Sequence, residues 1–311
     1  MSAVNDTKLK SVIFLLTRLP SDGDTRLWIS IPFFFMYVIS IVGNSVILFI
    51  VKTDPSLHQP MYIFLSMLAI TDLGISISTM PTILGIYLFN SREISLDACL
   101  AQLFFIHLLQ CIESSLLLLM ALDRFIAIYN PLRYATILIL PRIAKMGLVA
   151  VLRAMVIILP LPFLLKRFQY CQANFFSHSY CVHREVMKMA CSDIRVNIIY
   201  GLFTKLLTMG LDSLLIFLSY VMIFKTVLSI TSHEECLRAL NTCISHLCAV
   251  LLFYTPDISL TVIQSFEKDS SPLLQILLGY MSLLLPPLMN PIVYSMKSKH
   301  LRVRVIRVFI K

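Results

Sequence analysis

The stretch MALDRFIAIYNPLRYATIL, residues 120–138, places an acid and a base, Asp123 and Arg124, at the end of a long apolar run. The chain has 311 residues, of which 58% are hydrophobic and only 14% charged, and its mean hydropathy is +0.84. A soluble domain carries about 25% charged residues and could not bury so much apolar surface. The composition therefore predicts a membrane protein, in which an ion pair at this position needs a specific explanation.

Seven apolar stretches are each long enough to cross a bilayer as a helix, which takes about 20 residues. They cover residues 28–51, 61–86, 98–122, 143–165, 197–228, 239–264 and 272–296. None shows the alternation of a barrel strand, and residues 1–26 lack the apolar segment of a signal peptide. We therefore predict an all-α membrane protein, a seven-transmembrane helix bundle over 28–296, with an N-terminal segment 1–27 and a tail 297–311.

Seven crossings place the two termini on opposite sides of the membrane. With the N-terminus outside, inner segments hold 13 Lys and Arg residues and outer segments 11, a small margin in the expected direction. The tail KSKHLRVRVIRVFIK carries six positive charges and no acid, which is typical of a short amphipathic helix on an anionic inner leaflet. Asn5 begins a glycosylation acceptor, which requires an extracellular N-terminus. The net charge of +9 thus indicates contact with membrane lipid and not with nucleic acid.

Four of the eight cysteines, Cys99, Cys171, Cys181 and Cys191, fall on the outer side of this topology, where disulfides persist. Four cysteines permit three pairings, and the spacing does not choose among them. The other four lie within helices or at their inner ends, and we expect free thiols there.

Ionisable residues inside membrane spans are energetically costly and usually face the interior of the bundle. In this chain they are Asp72, Glu113, Arg153, Lys205, Asp212 and Asp257. Three polar stripes at helical spacing accompany them: His107, Gln110, Cys111 and Ser114 in the third span, Lys205, Thr208 and Asp212 in the fifth, and Asp257, Thr261 and Gln264 in the sixth. The stripes predict a cavity with polar walls for a small ligand in the outer half of the bundle.

A structural alternative is that these side chains only join helices, each hydrogen bond contributing roughly 0.6 kcal/mol. We expect this role for Ser114 and Thr208, while His107 suits either. For Lys205 and Asp257, whose burial would cost most, we expect a function or mutual pairing.

A series of motifs runs in order through all seven spans. They are Gly43–Asn44, PMYIFLSMLAITD at 60–72, MALDRFIAIYNPLRYATIL, Ser219–Tyr220, RALNTCISH at 238–246 and PPLMNPIVY at 286–294, with the outer loop YCQANFFSHSYCVHREVMKMACSDIRVNIIYG. In these motifs the chain resembles the rhodopsin-like (class A) G-protein-coupled receptors, and specifically the odorant receptors of the fish-like class I group. The resemblance implies a plasma-membrane receptor that binds a small odorant, activates the stimulatory olfactory G protein and raises cAMP.

The resemblance gives the ion pair of the opening stretch a role. In such receptors the acid–arginine pair at the inner end of the third span is a switch. The resemblance implies that Asp123 holds Arg124 in the resting receptor. Once released, Arg124 would reach towards Tyr220 and Tyr294 and open a crevice for the G protein.

Two disulfides are also implied by the resemblance. Cys99–Cys181 would tie the third helix to the second outer loop, and Cys171–Cys191 would close that loop on itself.

Asp72 and Glu113 resemble a pair of acids that holds sodium or another cation in the middle of the bundle. Two neighbouring carboxylates in a medium of low dielectric cannot both stay ionised without such a partner. A proton shared by the two acids is the alternative.

The predicted ligand pocket departs from the family pattern at one position. Some class I receptors bind short carboxylic acids through an arginine near the outer end of the sixth span, and here Gln264-Ser265-Phe266 puts Ser265 in its place. Lys205 and Asp257 face each other by family geometry, and we expect a salt bridge between them, because either charge alone would be buried unpaired. The other candidate ligand contacts are His107, Gln110, Cys111, His183, Arg184, Thr204, Thr208, Thr261 and Gln264.

Other functions fit these residues less well. A transporter or proton-coupled protein would use buried acids, but we find no inverted repeat in the sequence. A retinal pigment needs a lysine in the seventh span, and residues 272–296 contain none. An amine receptor would need an acid where Ile106 stands, and no nucleophile–base constellation or metal-ligand spacing indicates an enzyme.

Overall fold

The computed structural model of the chain describes residues 12–19, 23–170, 176, 178–229, 233–266 and 271–310. Within these ranges the side chains of 23–26, 233–236, 238–239, 241–242, 265–266, 272, 297, 299 and 309–310 are not described. The described part contains seven helical segments long and apolar enough to cross a membrane, as predicted. We name them span 1 to span 7 in chain order: Leu27–Thr53, Pro60–Phe89, Leu96–Tyr129, Leu140–Lys166, Arg195–Leu228, Cys243–Gln264 and Leu273–Met296.

Several helices extend beyond the apolar stretches that predict them. The helices that form the spans are Gly23–Thr53, Pro60–Phe89, Leu96–Tyr129, Leu140–Ile158, Pro160–Lys166, Arg195–Lys205, Leu211–Leu228, His233–Phe266 and Pro272–Lys297, and the helices outside the spans are Tyr134–Ile137, His183–Lys188 and Lys299–Ile310. Local signals mark some of the ends. Ser95 caps span 3 by accepting a hydrogen bond from the backbone N–H of Ala98, and Asn90 ends the second helix in the left-handed conformation with φ of 56°.

The contact between spans 1 and 7 explains the Gly43–Asn44 motif. Pro291 has no N–H, so the carbonyl of Pro287 one turn earlier loses its helical partner. The side-chain amide of Asn44 donates to this carbonyl at 2.9 Å. A Cβ atom at residue 43 would lie 3.0 Å from Cγ of Pro291. Glycine therefore permits the close approach, and asparagine satisfies the backbone group that the proline leaves free.

One end of the bundle, which we call the disulfide end, is tied by Cys99–Cys181 across 82 residues of sequence, as predicted. Strand Ile13–Leu15 pairs antiparallel with strand Glu93–Ser95 at this end, and Phe14 in the middle of the first strand is fully buried. Cys191 is also disulfide-bonded. Its predicted partner Cys171 lies outside the described residues, as does the predicted glycosylation site Asn5.

The opposite end, which we call the switch end, carries Asp123–Arg124 and the tail helix Lys299–Ile310. Nε of Arg304 in the tail lies 2.7 Å from a carboxylate oxygen of Asp54, between spans 1 and 2. The tail is thus a short basic helix, as predicted, and an ion pair fixes it to the bundle.

Span 5 is irregular in its middle. Residues Leu206–Gly210 form a π-helical turn between two α-helical parts. Such a turn uses i→i+5 hydrogen bonds and contains one residue more than an α-turn, so it shifts the helical phase of everything that follows. This shift changes which side chains of span 5 face the cavity.

Candidate functional site

A cavity of about 570 Å³ lies near the disulfide end, between spans 3, 4, 5 and 6 and beneath the segment 180–188. The structure brings together almost all of the predicted contact residues in its wall: His107, Gln110, Cys111, His183, Arg184, Thr204, Lys205, Thr208, Asp257, Thr261 and Gln264. The side chain of Ser265 lies outside the described part. The polar stripes of spans 3, 5 and 6 therefore converge on one space.

Lys205 and Asp257 form the predicted salt bridge across this cavity. Nζ of Lys205 lies 3.2 Å from Oδ2 of Asp257 and donates to the hydroxyl oxygen of Thr261 at 2.7 Å. The Lys205 side chain is 43% exposed and that of Asp257 15%. The pair therefore neutralises charge inside the bundle while the lysine stays accessible to a competing group.

Two histidines offer uncharged polar groups to the same space. Nε2 of His107 and Nε2 of His183 are buried without a hydrogen-bond partner in the part of the chain that the structure describes. Burial, and to a lesser extent the neighbouring His107, lowers the pKa of His183 to about 3. His183 is therefore neutral at physiological pH, and its imidazole can exchange a hydrogen bond with a bound molecule.

Arg184 closes the cavity at the end of span 6. Its guanidinium donates to the backbone carbonyl of Gln264 at 2.7 Å and to the side-chain oxygen of Gln264 at 3.3 Å. Beside it, Lys188 donates to the carboxylate of Glu185 at 2.6 Å. The Arg184 contacts tie the segment 183–188 to span 6, and Arg184 and Lys188 place two cations in the cavity wall at the disulfide end.

The floor of the cavity differs from the prediction at Asp212. We expected Asp212 on the cavity face with Lys205 and Thr208, but it is not among the lining residues. The π-turn rotates Asp212 towards span 4, where both carboxylate oxygens accept from Nη1 of Arg153 at 2.8 and 3.0 Å. The same turn leaves backbone carbonyls free, and Nη2 of Arg153 donates to that of Leu207 at 2.7 Å. The sequence shows Arg153 as a charge within a span but does not reveal this partner.

Ser114 connects the floor to span 6. Its hydroxyl lies 2.9 Å from Oδ2 of Asp212 and 2.8 Å from the hydroxyl of Tyr254, and 3.3 Å from the carbonyl of Thr208. Ser114 thus joins three spans, which is the structural role we expected for it. Thr208 donates to the carbonyl of Thr204 at 2.9 Å within its own helix and also lines the cavity.

At the switch end, Nη2 of Arg124 lies 3.1 Å from a carboxylate oxygen of Asp123, and both side chains are almost fully buried. The hydroxyl of Tyr134, at the start of the short helix Tyr134–Ile137, donates to the other oxygen of Asp123 at 2.7 Å. Tyr134 is not among the residues predicted for the switch. It strengthens the hold of Asp123 by fixing the carboxylate from the side of the short helix.

The two tyrosines predicted to receive Arg124 have other partners in this structure. The hydroxyl of Tyr220 lies 2.7 Å from Nδ1 of His246, whose Nε2 lies 2.9 Å from the carbonyl of Leu117 in span 3. The hydroxyl of Tyr294 lies 3.9 Å from the sulfur of Met120. In this conformation Arg124 stays with Asp123, and His246 links spans 3, 5 and 6.

Residues 33–311 match the sequence model of the olfactory receptor family. Human olfactory receptor 51G2 is 56% identical over 305 residues, which cover 98% of this chain and 97% of that protein. Human olfactory receptor 51G1 is 54% identical over 309 residues, covering 99% and 96%, and human olfactory receptor 51E1 is 47% identical over 305 residues, covering 98% and 96%. The chain belongs to the olfactory receptor family. It is therefore a multi-pass membrane receptor of the class A type and not an enzyme.

In this olfactory receptor the two central acids share one partner. The side-chain amide of Asn290 donates to Asp72 at 3.0 Å and lies 3.4 Å from Glu113. Both acids are essentially fully buried. Their oxygens are the hard donors that a small cation prefers, although the described residues contain no cluster of three or more acidic, histidine or cysteine side chains. The donor set fits a bound cation or a shared proton.

The receptor cavity also has a wall that the sequence analysis missed. Besides Lys188, it includes apolar and small residues on span 4, on the loop and on spans 5 and 7, among them Ile158, Leu161, Tyr180, Met187, Ile198, Leu202 and Ser282. Apolar residues in a membrane helix carry no contrast with their neighbours, so periodicity cannot separate a cavity wall from a lipid face.

Proposed function

We propose that this receptor binds a small odorant in the cavity between spans 3, 4, 5 and 6 and, when occupied, activates a stimulatory heterotrimeric G protein that raises cAMP. The receptor would act at the plasma membrane, with its N-terminus and disulfide end outside. The convergence of three polar stripes on one enclosed space is the observation that carries this proposal. Membership of the olfactory receptor family supports it.

The cavity favours a small molecule with one polar head. Its size lies within the range of small-molecule sites, and its wall is mostly apolar with a few convergent polar groups. Three cations, Arg184, Lys188 and Lys205, outnumber the acid Asp257 in the wall. A carboxylate could therefore compete with Asp257 for Lys205, and a neutral alcohol, aldehyde or ketone could hydrogen-bond to the pair or to the two neutral histidines.

Transmission would follow the contacts beneath the cavity. A head group that alters the Lys205–Asp257 bridge acts on span 6 directly. Span 6 is joined to spans 3 and 5 by Tyr254 below the cavity and by His246 near the switch end. Such a bundle has two arrangements, and a ligand that prefers one shifts the population towards it. In the active arrangement Arg124 would leave Asp123, extend towards Tyr220 and Tyr294, and open the crevice.

Two further partners belong to the proposal. Asp72 and Glu113 would hold sodium or another small cation between the spans, since the ion would offset two buried negative charges. The tail helix would lie on anionic lipid, because its basic residues are attracted to the inner leaflet and Arg304 is already fixed to Asp54.

The direct test of the proposal is an odorant panel. Parent receptor and Lys205→Ala would be screened with C4 to C12 acids, alcohols, aldehydes and ketones in cells that carry the olfactory stimulatory G protein, with cAMP as the readout. We expect at least one compound class to raise cAMP through the parent and to lose roughly tenfold or more in potency with Lys205→Ala, as for loss of a charged hydrogen bond. Lys166→Ala, a surface lysine paired with Asp97, is the matched control. A panel without any response through the parent at normal surface level would contradict the proposal.

A charge exchange tests the Lys205–Asp257 bridge itself. Lys205→Asp places two acids face to face and Asp257→Lys two amines, so each single variant should lose surface expression severalfold. The double variant restores opposite charges and should regain most of the parental level. Surface labelling of an N-terminal epitope measures the outcome. If the double variant shows the summed damage of the two singles, the pairing is unimportant for stability.

A further inference from the structure

The wall of the cavity along span 5 reaches the lipid-facing surface of the bundle. Leu202 lines the cavity and is nevertheless 60% exposed. Ile199, less than one turn away, is exposed without lining the cavity. On the opposite edge of the helix, the hydroxyl of Tyr200 donates to the carbonyl of Ile157 and holds span 5 against span 4. Leu202 therefore lies at the border between the cavity and the surrounding lipid, on the side that faces span 6.

Span 6 has the same kind of border. Asp257 and Thr261 line the cavity, and Ile258, adjacent in sequence to Asp257, is 49% exposed. Because Ile258 and Val262 both turn outwards next to lining residues, the lipid face of span 6 begins directly beside the cavity wall. We call the line between Ile198 and Leu202 on one helix and Ile258 and Thr261 on the other the seam.

Different kinds of contact hold the protein together at the disulfide end and across the seam. Over the disulfide end, the segment that covers the cavity is held by the Cys99–Cys181 bond, by the hydroxyl of Tyr180 on the carbonyl of Gly279 and by Arg184 on Gln264. Across the seam, the polar link is the Lys205 amine with Asp257 and Thr261. A lysine side chain is long and flexible, so it can release and re-form this link without moving backbone.

We propose that amphiphilic ligands reach the cavity sideways, from the membrane leaflet at the disulfide end, through the seam between spans 5 and 6, and that the Lys205 link is the latch of this seam. The aliphatic tail would pass between Leu202 and Ile258, and the polar head would exchange with the Lys205 amine as it enters. The ligand class is thus one that partitions into lipid. The inference rests on the proposed function, because the route leads to the cavity in which we propose that the odorant binds.

Cys111 allows this route to be tested without any odorant, because its thiol is free and lines the cavity. Receptor in lipid nanodiscs would be treated with octyl methanethiosulfonate, which dissolves in the bilayer, and in parallel with trimethylammonioethyl methanethiosulfonate, a permanent cation that has the same reactive group and does not dissolve there. Mass spectrometry of the Cys111 peptide gives the rate of modification in each case. We expect the octyl reagent to modify Cys111 faster than the cationic reagent does.

Variants of the seam decide whether the octyl reagent passes there. Leu202→Trp places a larger side chain at the seam and should slow the modification of Cys111 by about tenfold, because the larger side chain narrows the passage. Ile199→Trp adds the same side chain at the same depth on the lipid face and should leave the rate unchanged. Lys205→Met removes the latch and should raise the rate severalfold, whereas Lys205→Arg should stay near the parent.

Several outcomes would overturn the proposal. They are equal rates for the two tryptophan variants, equal rates for the two reagents, no faster reaction in Lys205→Met, or no modification of Cys111 in nanodiscs although it reacts once the protein is unfolded. The readout is independent of signalling. If the receptor is modified as expected but responds to no odorant, the proposed function is contradicted and the proposed route of access still holds.

Discussion

Replacing Arg153 by alanine is expected to remove most of the receptor from the cell surface. Asp212 is almost completely buried, and Nη1 of Arg153 contacts both of its carboxylate oxygens. Without Arg153 this carboxylate stays in the bundle without its positive partner, and breaking a buried pair in this way costs about 3–5 kcal/mol. The loss equals a large part of the stability of a typical domain.

Surface labelling and thermal unfolding of purified receptor would measure the effect. Lys145→Ala, which removes an exposed positive charge from the same helix, is the control and should behave as the parent. The double variant Arg153→Ala with Asp212→Asn should recover part of the loss, because a neutral amide no longer needs a positive partner. Parental surface level and thermal stability in Arg153→Ala would show that the pair has no structural role.

Replacing Arg124 by alanine is expected to reduce odorant-evoked cAMP strongly in the receptor that reaches the surface. In the resting arrangement Arg124 pairs with the buried carboxylate of Asp123, so its removal also leaves that carboxylate with the Tyr134 hydroxyl as its remaining partner in the described structure. The response is therefore compared at matched surface level. In the active arrangement Arg124 would be the side chain that spans the crevice. We expect the response at matched surface level to fall roughly tenfold or more, within the usual range of allosteric coupling.

Replacing the acid of the switch, Asp123, is expected to have the opposite effect on cAMP. Asp123→Asn weakens the hold on Arg124 and should raise cAMP in the absence of odorant, and Tyr134→Phe should do so to a smaller extent, because it removes one of the contacts that fix the carboxylate. Arg302→Ala, in the exposed part of the tail helix, serves as control for nearby positive charge. An intact odorant response in Arg124→Ala would disprove the switch.

The sequence predicts most of the fold because lipid imposes a simple length and composition rule on each span. It also predicts the Lys205–Asp257 and Asp123–Arg124 pairs, since charges in apolar surroundings need partners. Both pairs are present, together with the Cys99–Cys181 bond. The local contrast of charge with apolar surroundings marks the charged residues, whereas the Cys99–Cys181 pairing and the facing of Lys205 and Asp257 are implied by the family resemblance.

What the sequence does not predict depends on long-range geometry. Asp212 turns to Arg153 because a π-turn breaks the helical phase, and no residue type marks such a turn. Tyr134 and His246 contact the switch region from a short helix and from another span. Apolar residues such as Leu161 become part of the cavity wall only through the packing of neighbouring helices.

The π-turn of span 5 has a consequence for chain length. It holds a surplus residue, and deletion of any one position from Leu206–Gly210 would let the helix run regularly and gain its standard hydrogen bonds. One residue corresponds to about 100° of rotation in an α-helix. Either Lys205 or Asp212 would then swing away from its counterpart. A shortened chain would be locally more regular and yet lose one of the two ion pairs that span 5 makes with its neighbours.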